Sequence, residues 1–316
     1  MPASQRDAGA TARFDLKASG ASEPLLASHE AKDPRVLANG TRLNISDPLL
    51  AYLTRIGIVA DAPDVFYHTL AILHAPDYRK ENSGALRQDW PRIPLPDTKE
   101  ALLASAALGK QIVALLDTET PFDVAAGLSR HPESGDVKSP LHEPPGGTPA
   151  LQRIAAFTLP RGTQLKEAEH FAVTAGWGHA GKGGITMPGK GKIAERDYTA
   201  QERASVAAGL SRHPESGDVK SPLLGTRTCD VYLNNVAYWS NIPIRVWEYT
   251  IGGYQVIKKW LSYREEKLLG RALSKEEVRY VQEMARRLAA IIMLEPSLDA
   301  NYQSVKAHTC DWKPFA

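Results

Sequence analysis

Apolar residues recur at helical spacing near both ends of the chain and lose that spacing in the middle, a division that constrains the fold more than any single motif. Ser46-Asp47-Pro48 supplies a capping residue and an early proline, and Leu49, Leu50, Leu53 and Ile56 follow at helical intervals. A second helix is predicted from Pro63, with Val65, Phe66, Leu70 and Leu73 mainly on one side, Tyr67 beside them, and Pro76 as its end. Trp90-Pro91-Arg92-Ile93-Pro94-Leu95-Pro96 cannot be helical, because three prolines remove amide donors and hold the backbone extended. Asp97 with Glu100 then reads as a capping-box-like start, Asp replacing Ser or Thr, for a helix through Leu102, Leu103, Ala106, Ile112, Leu115 and Leu116.

Between about 151 and 240 the apolar runs become short and strand-like, at 154–159, 171–175, 191–194 and 230–233, with glycine-rich turns between them. Helix returns from Gln255 through Tyr263 and again from Ser274. There Ser274-Lys275-Glu276-Glu277 is a capping box ahead of an apolar stripe of Val278, Val281, Ala285, Leu288, Ala289 and Ile292. The expected class is mixed α+β: an N-terminal helical segment, a central small β-sheet with Gly-rich loops, and C-terminal helices.

The same texture divides the chain. Residues 1–44 lack periodicity and read as a flexible tail, 45–123 as a helical part, 124–150 as an inserted loop, and 151–316 as a strand-rich and then helical part. The sequence VAAGLSRHPESGDVKSPL occupies 124–141 and returns letter for letter at 206–223. The spacing of 82 residues matches no short solenoid period and the flanks are unrelated. Two surface loops that accept an inserted copy explain this better than a duplicated recognition loop, since loops tolerate insertion at little entropic cost.

Composition sets outer bounds. The 316 residues are 43% hydrophobic, and 38 Lys+Arg against 36 Asp+Glu leave a formal net charge of +2, so any polyanion-binding surface must be a local patch. Two cysteines, Cys229 and Cys310, are too few for a disulfide framework or a four-thiolate zinc site. The N-terminus lacks a signal-peptide core, and the apolar run Leu288 to Leu294 is too short to span a bilayer, so a soluble cytoplasmic protein without membrane partners is expected.

Several motifs fail on context. Gly176-Trp177-Gly178-His179-Ala180-Gly181 matches a dinucleotide fingerprint, but the glycines and proline that follow make the required helix improbable. Gly184-Ile-Thr-Met-Pro-Gly189-Lys190-Gly191 approximates a phosphate loop, with Gly191 where Ser or Thr would hold magnesium. His68 and His74 lie six apart on different helical faces and read as packing or surface residues. No hydrolase or metalloprotease signature is present, and the adenine-methyltransferase tetrapeptide is missing.

Cationic and aromatic clusters remain. Lys182, Lys190, Lys192 and Arg196 stand against Glu195 alone on a glycine-rich stretch, where the backbone can approach phosphates. Farther on, Trp247 to Leu261 joins an aromatic run through Gly252-Gly253 to a basic helix. In that helix Val256, Trp260 and Tyr263 suit the core, while Gln255, Lys258 and Lys259 suit solvent. As a stripe this pattern is more often core than a reading head.

Two blocks carry a resemblance. One is Val65-Phe-Tyr-His-Thr-Leu-Ala-Ile-Leu-His-Ala-Pro-Asp-Tyr78-Arg79 with the proline-rich 90–96; the other is Asp230-Val-Tyr-Leu-Asn-Asn235 with Val246 through Arg264. Over roughly 45–305 the chain resembles the C-terminal target-recognition region of type ISP restriction-modification enzymes. These are bacterial defence polypeptides that combine nuclease, helicase-like ATPase, adenine methyltransferase and DNA-specificity parts. The resemblance implies recognition of double-stranded DNA, with S-adenosylmethionine, ATP and Mg belonging to the methyltransferase, helicase and nuclease parts not found in this sequence. The two repeated segments look foreign to the family pattern. By analogy, Lys182, Lys190, Lys192, Lys258 and Lys259 are expected on phosphates, and Gln255 and Arg264 on base edges, with no catalytic residue and no metal ligand in the chain. A docking module without its own DNA contact, a decayed fragment and a self-contained enzyme are the alternatives.

Overall fold

The computed structural model describes residues 33–119, 154–200, 202 and 225–313. Both copies of the repeated segment, and the loop expected at 124–150, lie outside the described residues. Ser46 caps α1 (Asp47–Arg55), its hydroxyl accepting from the Leu49 amide at 3.4 Å, and Pro48 sits in the first turn, where a missing N–H leaves nothing unsatisfied. Pro63 precedes α2 (Asp64–His74), and Pro76 opens α3 (Pro76–Glu81), followed by the single turn α4 (Ala85–Gln88).

The proline-rich stretch is extended, and its carbonyls find partners far away in sequence. Tyr78 Oη donates to Arg92 O at 3.1 Å and His68 bonds Pro94 O at 2.9 Å. The Cys310 amide donates to Leu95 O at 2.8 Å, and Tyr52 Oη to Pro96 O at 2.7 Å. The chain end is thereby paired with this segment, Pro96 opposite Thr309.

That pairing corrects one predicted boundary. The Asp97 amide donates to His308 O at 3.0 Å, which holds Asp97 in the extended segment, so the cap passes to Thr98, whose hydroxyl accepts from Ala101 N at 3.3 Å. The helix that follows, α5 (Lys99–Leu116), buries Leu102, Ser105, Ala106, Gly109, Ile112 and Leu115. It packs so closely on α2 that a Cβ at Gly109 would lie 1.8 Å from Tyr67 O.

Helix α6 (Glu167–His170) is a single turn. β1 (Ala156–Thr158), β4 (Ile193–Asp197), β5 (Arg227–Tyr232) and β6 (Tyr238–Pro243) form an antiparallel sheet in the order β1-β6-β5-β4. Its register pairs Phe157 with Trp239 and Val231 with Trp239, with a bulge between Cys229 and Val231. Cys229, Val231, Trp239 and Ile242 face the core; Tyr232, Tyr238 and Arg196 lie on the more open side. A separate hairpin, β2 (Gly178–Ala180) with β3 (Thr186–Pro188), occupies the glycine-rich stretch.

After the single-turn α7 (Ile244–Trp247), β7 (Thr250–Ile251) and β8 (Tyr254–Gln255) make a two-residue hairpin through Gly252 and Gly253. Both glycines have positive φ, as the tightest hairpin turns require. Next come α8 (Val256–Ser262), the single turn α9 (Glu266–Leu269), and α10 (Lys275–Ala307), which opens on the predicted capping box of Ser274 and Glu277. Helix α10 packs on α2, α3, α5, α7, α8, β1 and β6, which makes it the spine of the α+β core. No helix among the described residues is long and apolar enough to cross a membrane.

Residues 33–44 make a unit of their own within the stretch expected to be a tail. Val36 and Arg42 form an isolated bridge, Leu43 N donates to Arg35 O at 2.8 Å, and the Arg42 guanidinium lies 3.4 Å from the Asp33 carboxylate.

The predicted strand at 171–175 is not one. Thr174 N and Ala175 N both donate to Leu233 O, at 2.7 and 3.0 Å, while Phe171 O and Val173 O accept from Leu273 N and Glu266 N. Backbone groups spent on three separate elements leave no ladder to form, and the buried apolar run is an irregular wedge.

Candidate functional site

Every residue predicted to contact DNA lies on the β2–β3 hairpin, in the link from it to β4, or on α8 and its flanks. The hairpin packs directly on α8. Glu265, buried between α8 and α9, accepts the amides of Gly176 at 3.1 Å and Trp177 at 2.8 Å and so ties the base of the hairpin to the helical side. Trp177 is fully buried, donates its indole N–H to Tyr232 O at 2.7 Å, and meets Trp247 edge to face at 5.4 Å between ring centroids. The hairpin base closes through Gly189 N to Trp177 O at 2.6 Å and Gly191 N to Gly176 O at 3.0 Å.

This packing accounts for both near-miss motifs. Gly178 to Ala180 is strand rather than the helix that a dinucleotide site needs. Gly191 has φ +69° and a Cβ there would come within 2.0 Å of the Trp177 ring, so the residue that interrupts the phosphate-loop pattern makes room for the tryptophan.

At the tip, Lys182 begins the tight turn Lys182–Gly184 and is exposed, as is Lys190 after β3. Lys192 is also exposed, with its ammonium over the Tyr232 ring at 4.3 Å, and Tyr232 stacks on Tyr238 at 5.0 Å. Arg196 belongs elsewhere. It makes a two-pronged contact with Glu202 at 2.8 and 3.0 Å and also bonds Asn241, so it stitches the open side of the sheet.

Helix α8 departs from its predicted orientation in one respect. Ile257, Leu261 and Ser262 are its buried residues, with Val256 and Trp260 packed at the margin, whereas Tyr263 is exposed. The helix starts at Val256, and from there the i, i+4 pair facing the core is Ile257 and Leu261. Gln255 is half-buried and directs Nε2 toward Trp247 O at 3.4 Å, a contact from the element before it. Lys258 and Lys259 are partly exposed, and the Lys259 ammonium lies 4.7 Å from each of the Tyr254 and Tyr263 rings. Arg264 lies on the Trp260 ring at 3.9 Å, with Trp260 stacked on Tyr280 and Arg264 Nε 3.6 Å from Glu277. Thus Lys182, Lys190, Lys192, Lys258 and Lys259 remain accessible to a ligand, whereas Gln255 and Arg264 are engaged within the fold.

Sequence reading missed three residues that hold this arrangement. Glu265 is one. Asn234 is another: its side-chain amide donates to Glu169 O, His170 O and Ala172 O, and its oxygen accepts from Val236 N and Ala237 N. An Asn at a turn between strands was the available signal. Arg287, almost fully buried on α10, gives Nη1 to Ala114 O at 3.1 Å and to Asp117 O, capping the end of α5, while its other side meets Glu283.

Burial pushes the Cys229 thiol up to about 12, with Asp230 and Glu195 nearby opposing its ionisation. Burial also lowers His68 and brings His74 down to about 4. His68 instead takes part in a polar chain in which Asn301 Nδ2 bonds Ser105 Oγ at 3.0 Å and Ser105 Oγ lies 2.7 Å from His68 Nδ1. Among the described residues, no group of three or more His, Cys, Asp and Glu gathers to hold a metal ion.

Comparison with known proteins places the sequence in a family. No curated protein matches the chain. A solved structure described as the cryoEM structure of a DrdV-DNA complex is similar at 18% identity and a TM-score of 0.35, over 87% of this chain and 21% of that one; this chain therefore spans about a fifth of its length. The family model for the type ISP C-terminal specificity domain matches residues 11–155 and 187–291, most of the sequence, and the chain belongs to that family.

Proposed function

We propose that this chain is a DNA target-recognition module, which holds a short duplex site for methylation and cleavage by parts outside it. Membership of a specificity-domain family is the observation that carries the reading. The surface supports it chemically. Lys182, Lys190 and Lys192 lie on a stretch, 171–194, without a single Asp or Glu, and the hairpin in that stretch packs on the helix that bears Lys258 and Lys259. Cations on short, well-anchored elements suit phosphates, which fix register while other side chains read the bases. Lys259 between two exposed tyrosines and Lys192 on Tyr232 are held at defined positions, so less side-chain freedom is lost on binding. On this reading S-adenosylmethionine, ATP and Mg act in the methyltransferase, helicase and nuclease parts of the system.

The test is the affinity of the purified chain for duplex DNA across a salt series. Phosphate neutralisation predicts a log-log slope near −0.9 for each contact. A salt-independent affinity, or none from a folded chain, contradicts it.

A second reading is favoured by Trp90, 86% exposed, and Phe66, 60% exposed, both in the helical N-terminal part. They suit docking onto another part of the same system, a contact that salt would leave nearly unchanged.

A further inference from the structure

We infer that the β2–β3 hairpin enters the major groove of duplex DNA and that Ile185 and Met187 contact base edges there; this rests on the DNA-recognition reading above. Ile185 is 67% exposed and Met187 47%, although the same hairpin buries Trp177 completely. His179 faces Met187 across the two strands, and both are open to solvent. The hairpin therefore projects apolar side chains from a base that is fixed at several points: the Glu265 carboxylate, the Trp177 indole bond to Tyr232 O, and the close approach of Gly178 to Ser262 O.

Two features select duplex DNA as the occupant. Charge is the first, since Lys182 and Lys190 flank the two apolar residues and no carboxylate occurs in 171–194. Shape is the second. A two-stranded ribbon fits a major groove about 12 Å wide, where aliphatic side chains meet the thymine methyl.

The experiment enriches a preferred sequence from a pool of random duplexes with the wild-type chain. It then compares affinities for the enriched and a scrambled duplex in wild type, in the double variant Ile185→Ser with Met187→Ser, and in Lys182→Gln. Circular dichroism and the thermal midpoint verify folding, which these exposed positions leave intact. The double variant is expected to lose about tenfold or more of the preference while keeping salt-dependent affinity for the scrambled duplex. Lys182→Gln is expected to weaken both duplexes alike. A double variant that keeps the full preference overturns the inference and leaves the DNA reading standing. A wild-type chain that binds without enrichment, or not at all, overturns both.

Discussion

The Glu265 carboxylate accepts the Trp177 amide at 2.8 Å across 88 residues of sequence, and through that bond the exposed hairpin is fixed to the helical core. Because the same carboxylate also takes the Gly176 amide, Glu265→Ala leaves two amides at the hairpin base without an acceptor. The expected cost is about 2–4 kcal/mol, read as a lower urea midpoint. Wild-type stability in Glu265→Ala would refute this anchoring.

Gly109 is predicted to be intolerant of its smallest replacement. A methyl group there would lie 1.8 Å from Tyr67 O, so Gly109→Ala must push α2 and α5 apart despite alanine's better helix propensity. A loss of about 1–3 kcal/mol is expected in thermal unfolding; stabilisation would show that the two helices are not in close contact.

The predicted segments that matched were set by neighbours in sequence. Ser46 with Pro48 and the Ser274 capping box each complete their hydrogen bonds within a few residues, so α1 and α10 were legible; β7 and β8 around Gly252-Gly253 were not read as strands, because two residues on each side leave no alternation to see. Failures arose where a distant group decides. Asp97 lost its cap role to Thr98 because His308 claims its amide, and Phe171 to Ala175 lost its strand because Leu233, Glu266 and Leu273 claim its backbone. β6 went unread, since Tyr238–Pro243 ends in a proline and includes Asn241 at positive φ, features that sequence alone assigns to turns. For the candidate site, Lys182, Lys190 and Lys192 were visible as a glycine-rich basic stretch opposed by Glu195 alone, and Lys258 and Lys259 as part of a basic helix. The engagement of Gln255 with Trp247 and of Arg264 with Trp260 depends on how α8 packs, which its composition does not reveal.

Stability should fall on mild acidification. His68 and His74 both have folded pKa values below the ordinary 6.5, His74 at about 4, so the unfolded chain takes up protons first. Their contribution is complete above about pH 6.5 and is lost as pH falls toward 4, up to about 3 kcal/mol for His74 alone. Urea midpoints measured across that range should drop, and His74→Gln should flatten the profile. An unchanged profile in that variant would assign the effect to other groups.

Arg287 caps α5 from α10, and Arg287→Met keeps much of its volume while removing every donor. The Ala114 and Asp117 carbonyls then lose their partner, with an expected cost of about 1–3 kcal/mol and faster amide exchange at the end of α5. Unaltered exchange there would mean that water satisfies those carbonyls equally well.

Lys192→Gln and Lys258→Gln should each lower the salt dependence of DNA binding by about one ion while preserving the enriched sequence. The slope of log affinity against log salt reads this directly; an unchanged slope would remove that lysine from the interface.

Whether this chain by itself recognises a DNA sequence, as proposed, is decided by selection from random duplexes, with retained molecules sequenced at low and at moderate salt. One enriched motif that survives the higher salt is the expected outcome. Retention of the unselected pool without enrichment, or no retention by a chain shown to be folded, would contradict it.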